Sequence, residues 1–369
     1  MRIQEHDSSS EDEESPSWQE KFVTAFEKYQ DASDPRNNSA CIGEYISYQL
    51  NTIKDPRLQS RVVPREWRVM KPLVKPMAVV VAALLLLQPS FLWRFWAWSG
   101  AFWQACYDRV LGACGNDGSL AYMYGTSVVG YFTYWVVGGL YTLADLSSSP
   151  HLLRRYKTQP GTNHPVPARP LIKCVVVVHV NQLVLGLPFV EACRRALVLR
   201  GADFSHTLPS LPLAMLHLAV FTLIEEVLFY YGHRLCHHRL LYKHIHKLHH
   251  EWQSPIAITA AYAHPLEHLF VNMAPIMVGP LLLGSHPAVV WVWVFLATLS
   301  VLLTHSGYHL PLLPSPQFHD FHHLKFTGCY GVLGVLDRLH GTDAQFRSTL
   351  AHHRDKMFFS LDPRPPITS

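Results

Sequence analysis

Four short patterns place histidine at the spacing a metal site needs: His233-Arg-Leu-Cys-His237-His238, His246-Lys-Leu-His249-His250, His305-Ser-Gly-Tyr-His309 and His319-Asp-Phe-His322-His323. Of the 24 histidines in the chain, 15 fall between His233 and His323, where an even spread would give about 6. Positions i, i+3 and i+4 of a helix share a face, so each pattern aims two or three imidazoles at one point. Imidazole ligates Zn, Fe, Cu and Ni near neutral pH. One tetrahedral zinc site uses four ligands. Here His233, His238, His246, His249, His250, His305, His309, His319, His322 and His323 are ligand candidates, which predicts a multinuclear centre.

Hydrolytic two-metal sites usually add bridging carboxylates. The acids nearby are Glu225, Glu226, Glu251, Glu267 and Asp320, each expected to accept an imidazole N–H or to be solvated rather than to ligate. A metal transporter would carry its histidines inside the spans. Only His179, His217 and His286 lie well within apolar runs, so the boxes fit a fixed cofactor better than a conduit.

The elements that must position these boxes are membrane helices. Hydrophobic residues make up 49% of the chain and charged residues 16%, far from a disordered or disulfide-stapled composition. Seven cysteines contain no CxxC pair, which excludes a dithiol redox site, and a net charge of +4 without a basic, aromatic-rich block excludes nucleic acid as a partner. Residues 1–70 form a polar, acidic and Ser-rich region expected to be a disordered cytosolic tail, with no cleavable signal peptide. Spans are expected at Met77–Trp93, followed by an aromatic belt of Trp93, Trp96, Trp98 and Trp103, and at Gly118–Ala144. Two more are expected at Cys174–Val190, the weakest, and Thr207–Ile224. Leu269–Thr304, broken by Pro275, Gly279, Pro280, Gly284 and Pro287, reads as a helical hairpin.

The fold class is thus an all-α integral membrane protein, with about four transmembrane helices plus a hairpin beneath a cytosolic, histidine-rich helical cap. Residues 71–345 form the membrane domain and 346–369 a C-terminal tail. Arg154, Arg155, Lys157, Arg169 and Lys173, with no acid between Leu146 and Lys173, mark the cytoplasmic side, which puts every box in one compartment.

The boxes, with the stretches Tyr242–Trp252, Tyr262–His268, Leu313–His323 and Cys329–Asp343, resemble the fatty acid hydroxylase superfamily of integral membrane oxygenases, sterol oxidases and desaturases among them. The resemblance covers roughly residues 70–345. It implies two iron ions held by the box histidines, with His237 able to serve in place of His238, although zinc can occupy such sites in a purified sample. His264 and His268 become candidates for the substrate mouth or for supporting the ligands, as do Glu251 and Asp320. It also implies dioxygen as co-substrate, a lipid substrate with a 4-methylsterol favoured, and residence in the endoplasmic reticulum membrane. No GxGxxG fingerprint and no haem-domain motif occurs, so electrons are expected from NAD(P)H through an external b-type cytochrome and its reductase, for which Arg154–Lys173 offers a basic dock. A fatty acyl or sphingolipid hydroxylase, a desaturase and a non-catalytic lipid sensor are the competing readings.

Overall fold

A computed structural model describes residues 89–147, 151–163 and 165–359. The polar N-terminal region and residues 77–88 of the expected span Met77–Trp93 lie outside the described residues, as does the end of the C-terminal tail. The described chain is helical, its one β-feature being an isolated bridge between Lys157 and Tyr308.

The main helices are α1 (Pro89–Ala113), α2 (Gly118–Leu146), α3 (Ala168–Leu199), α4 (Leu211–Cys236), α5 (Pro265–Leu283), α6 (Pro287–His305), α7 (Gln317–Lys325) and α8 (Val335–His340). Four of them, α3 to α6, are long and apolar enough to cross a membrane. The expected hairpin is α5–α6. Gly284 adopts the left-handed conformation (φ 56°) that stops α5, and the His286 ring caps α6 by accepting from the Ala288 N–H before Pro287 sets the first turn. The expected span Gly118–Ala144 forms α2 with the required length, yet its Tyr, Gly and Thr content leaves it less apolar than the other four. It exposes a stripe of Tyr124, Val128, Phe132, Val136 and Leu140 at helical spacing.

The weakest expected span, Cys174–Val190, is the centre of α3, a helix of 32 residues. Its polar residues have structural employment: Asn181 donates to the carbonyls of Ala261 (3.0 Å) and Ala263 (2.9 Å), and Gln182 accepts from the Trp135 indole (2.7 Å). Residues Val180–Gly186 of α3 and His268–Met273 of α5 are π-helical turns, a local widening common at functional sites.

Packing is close where glycine allows it. A Cβ on Gly125 or Gly138 of α2 would lie 2.2 Å from Trp291 of α6 or 2.8 Å from Ile258, so small residues set how near α2 comes to its neighbours. Beneath them lies the irregular segment Ile256–Ala263, fully buried against Tyr134, Cys174, Val178 and Leu302. Its centre, Ala257–Ala261, is a 3-10 turn, and the backbone groups such a short turn leaves open must be satisfied by protein. The Tyr134 hydroxyl does so by donating to Ile258 O (2.7 Å) and accepting from Ala261 N–H (3.1 Å).

The antiparallel run of α3 to α6 brings the start of α3 and α5 and the end of α4 and α6 to one side, and all four boxes gather there. The C-terminal tail expected from residue 346 in part joins this cap: Phe346 packs on Phe318 and Phe321, and Phe358 on Tyr156 and Tyr308.

Candidate metal centre

Nine box histidines form two groups. His233, His237, His246, His250 and His322 make a cluster of five, and His249, His305, His319 and His323 a cluster of four, with the ligand nitrogens of each within 4.8 Å of one another. His233 sits near the end of α4, His237 caps it, His246, His249 and His250 share one 3-10 turn, His305 ends α6, and α7 carries the rest. A single turn thus feeds both clusters: His249 and His250 are neighbours in sequence but belong to different groups, as do His322 and His323.

Six of the nine imidazole tautomers are fixed from outside. A neutral ring carries one N–H, so a ring whose Nδ1 faces an acceptor presents a bare lone pair at Nε2. In the cluster of five, Nδ1 of His233 donates to Tyr330 O (2.8 Å), His322 to Gly328 O (2.7 Å) and His246 to the Glu267 carboxylate (2.8 Å). In the cluster of four, His249 donates to Tyr262 O (3.3 Å), His305 to Val301 O (2.8 Å) and His323 to Trp252 O (3.0 Å).

The Nε2 atoms then converge at 3.1 Å for His233–His246, 3.0 Å for His246–His250, 3.1 Å for His250–His322 and 3.1 Å for His237–His322. In the other cluster they meet at 2.9 Å for His305–His319 and 3.1 Å for His319–His323. Two bare lone pairs this close, as in the His233–His246 pair, repel one another unless a cation lies between them. A metal ion holding imidazole nitrogens at about 2.1 Å separates two of them by about 3.0 Å at right angles and by about 3.4 Å in a tetrahedron. Spacings of 2.9–3.1 Å fit right angles, the 3.4 Å between His249 and His305 fits a tetrahedral angle, and the five nitrogens of the larger cluster exceed the four of a structural zinc site. Residues and spacings therefore fit two first-row metal ions, one in each cluster.

Burial keeps the donors neutral, as ligation requires. Desolvation, followed by neighbouring imidazoles, lowers His249 to about 4 and His237 to about 2, and holds His246, His250, His319, His322 and His323 well below the usual range.

Two ligand candidates stay outside. α4 ends at Cys236, so His238 turns into extended backbone and its ring caps the next turn at Leu240 N–H, while His237 enters the cluster. His309 follows Gly307, whose positive φ of 68° reverses the chain. The helical face of His305 is lost there, and His309 donates from Nε2 to Lys356 O (3.1 Å). Glu251 pairs with Lys173 (2.8 Å) and accepts from the Tyr262 hydroxyl (2.6 Å) instead of serving an imidazole. Asp320 accepts from Thr158 (3.0 Å) and Gln159 (3.1 Å), and burial pushes its carboxyl up to about 6 against those bonds. His264 caps α5 through Leu266 N–H. His268 lines the cavity described below.

The carboxylate that does orient a ligand is Glu267. Glu226 and Asp337 act one step further out. Glu226, buried in α4, accepts from the N–H groups of Val332 (2.9 Å), Leu333 (2.7 Å) and Leu336 (3.1 Å), and Asp337 accepts from those of Tyr330 (2.9 Å) and Gly331 (2.6 Å). Together they fix the loop whose carbonyls hold His233 and His322. Buried acids inside or beside an apolar stretch were the available signal.

A cavity of about 540 Å³ opens beneath the centre, between α2, α3, α4, α5 and α6. Mostly apolar residues line it, and it reaches His305 and His319 of the cluster of four. Both π-helical turns contribute wall, through Gln182, Leu183 and Gly186 and through His268, Asn272 and Met273.

A helical membrane bundle that closes over two imidazole clusters and a lipid-sized cavity defines a membrane-bound, lipid-modifying oxidoreductase class. The comparisons specify it: the profile of the fatty acid hydroxylase family matches residues 218–342, and the chain belongs to that family. It is 44% identical over 272 residues to fatty acid hydroxylase domain-containing protein 2 of Homo sapiens, covering 74% of this chain and 82% of the relative. A very-long-chain aldehyde decarbonylase of Oryza sativa is 34% identical over 212 residues (54% of this chain, 78% of the relative). Methylsterol monooxygenase 1 of Danio rerio is 34% identical over 212 residues (55% and 72%). No solved structure matches the chain.

Proposed function

We propose that the chain is a diiron oxygenase that oxidises an unactivated C–H bond of a membrane lipid, with a 4-methylsterol as the favoured substrate. The observation that carries the reading is the paired construction of the centre, in which one turn and one helix each divide their histidines between two clusters. Two iron ions held by the nine histidines would supply the activation of dioxygen. The chain's own contribution is positional. The carbonyls and Glu267 keep six of the nine imidazoles in the ligating tautomer, and the apolar cavity presents a lipid to the His305–His319 edge while excluding water. The methylsterol monooxygenase relative supports a sterol, and the boxes themselves encode metal and not lipid.

Two electrons per turnover come from NAD(P)H through a b-type cytochrome and its reductase. The dock is the basic segment Arg154–Lys173 on the histidine side, minus Lys157, which is buried against Asp145. The same segment supports a cytosolic position for the boxes in an endoplasmic reticulum membrane. Fatty acyl or sphingolipid hydroxylation and sterol desaturation would use this centre with a different occupant of the cavity.

The test is turnover of the iron-loaded protein in lipid nanodiscs with NADH, cytochrome, reductase and isotopically labelled dioxygen. Label in a hydroxylated sterol, absent in the His249→Ala/His250→Ala variant, is the expected result. An unlabelled desaturated product would move the assignment to a desaturase, and no turnover with two bound irons would overturn the enzyme reading in favour of a lipid sensor.

A further inference from the structure

The cavity wall contains a group that neither packing nor the metal centre uses. Glu225 of α4 lines the cavity with Phe229, and makes no hydrogen bond or ion pair with any described residue. Its neighbour Glu226 accepts three backbone N–H groups. A carboxyl among apolar side chains within a membrane helix is costly unless something pairs with it. Glu225 stands eight residues, or about 12 Å along the helix axis, before His233, so it is a wall residue and not a ligand.

Two further polar atoms at this wall are buried and lack a partner among the described residues, Thr126 Oγ1 and His268 Nδ1. The residues lining the cavity include Glu225 and Asp355 and no Lys or Arg. A carboxylate, phosphate or sulfate entering it would find no Lys or Arg to pair with and would lose its hydration uncompensated. A hydroxyl would find in Glu225 an acceptor, with Thr126 and His268 to complete its bonding.

We propose that Glu225 is the polar anchor of the substrate cavity, and that the polar group admitted there is an uncharged hydroxyl of a lipid alcohol rather than a carboxylate or a phosphate. This deepens the oxygenase reading and rests on it for the identity of the cavity as the substrate site.

The test is equilibrium binding to the full-length, iron-loaded protein in detergent of a radiolabelled 4-methyl-3β-hydroxysterol, its 3-O-methyl ether and palmitate. The free alcohol binds about ten-fold more tightly than the ether, the scale of one buried hydrogen bond, and palmitate does not compete. Glu225→Leu erases the preference for the alcohol, and Glu225→Gln, which keeps an acceptor oxygen, retains part of it, with metal content unchanged in both. Equal binding of alcohol and ether, displacement by palmitate, or an undiminished preference in Glu225→Leu would overturn the anchor. If Glu225→Leu fails to fold, the alcohol–ether comparison in the wild type and Glu225→Gln decides. Hydroxyl-dependent binding without oxidation would sink the oxygenase reading and leave the anchor standing, whereas oxidation without hydroxyl dependence would do the reverse.

Discussion

The two imidazole clusters differ in what stands behind them and in what stands before them. The cluster of five has a carboxylate, Glu267, holding His246, and backbone carbonyls holding His233 and His322. The cluster of four is held by the carbonyls of Tyr262, Val301 and Trp252, with the Thr304 hydroxyl also near His305 (3.5 Å), and forms the end wall of the cavity through His305 and His319. A carboxylate behind an imidazole makes it a more basic, more firmly oriented donor. The comparison teaches that the two sites are unequal by construction: one is backed more strongly, and the other faces the lipid.

The largest effect expected from breaking that comparison is removal of one ligand from each side. His246→Ala and His319→Ala should each lose one of two bound metals, with turnover falling to background in both, as read by elemental analysis beside product formation. If either variant kept both metals, the division into clusters would fail. Next, Glu267→Gln should weaken metal binding at the cluster of five by about 10–100-fold and leave the cluster of four unchanged, measured by chelator competition. Equal weakening at both would show that the carboxylate acts on the fold and not on one site. A smaller effect separates neighbours in box one. His237→Ala should lose metal, whereas His238→Ala should cost only a helix cap, about 1 kcal/mol of stability, with both metals retained. The smallest effect on the centre comes from the bundle: Gly138→Ala should lower thermal stability in detergent by about 1–3 kcal/mol through overpacking against Ile258, without changing metal stoichiometry.

Much of this was legible in the sequence because it obeys short-range rules. Uncharged runs gave the helices, Gly284 and Pro287 gave the hairpin, and the density of histidine gave the centre. What escaped depends on where a helix stops. Regular helical spacing pairs His305 with His309, but Gly307 ends that regularity, and the choice between His237 and His238 turns on the last residue of α4. Box two works from a 3-10 turn, so spacing alone did not show that His249 and His250 point to different metals. Long-range partners were also invisible. Glu251 and Asp320 stand beside box histidines in sequence yet bond to Lys173, Thr158 and Gln159, while Glu267 reaches His246 from the far side of the buried segment Ile256–Ala263. Local sequence reports neighbours along the chain; this site is oriented by neighbours across it.

The most direct test of a paired, imidazole-only centre is metal stoichiometry on anaerobically purified full-length protein, reconstituted with ferrous iron and measured alongside His246→Ala and His319→Ala. Two irons per chain, with one remaining in each variant, is the predicted result. One metal or none in the wild-type protein, or two retained in either variant, would contradict it.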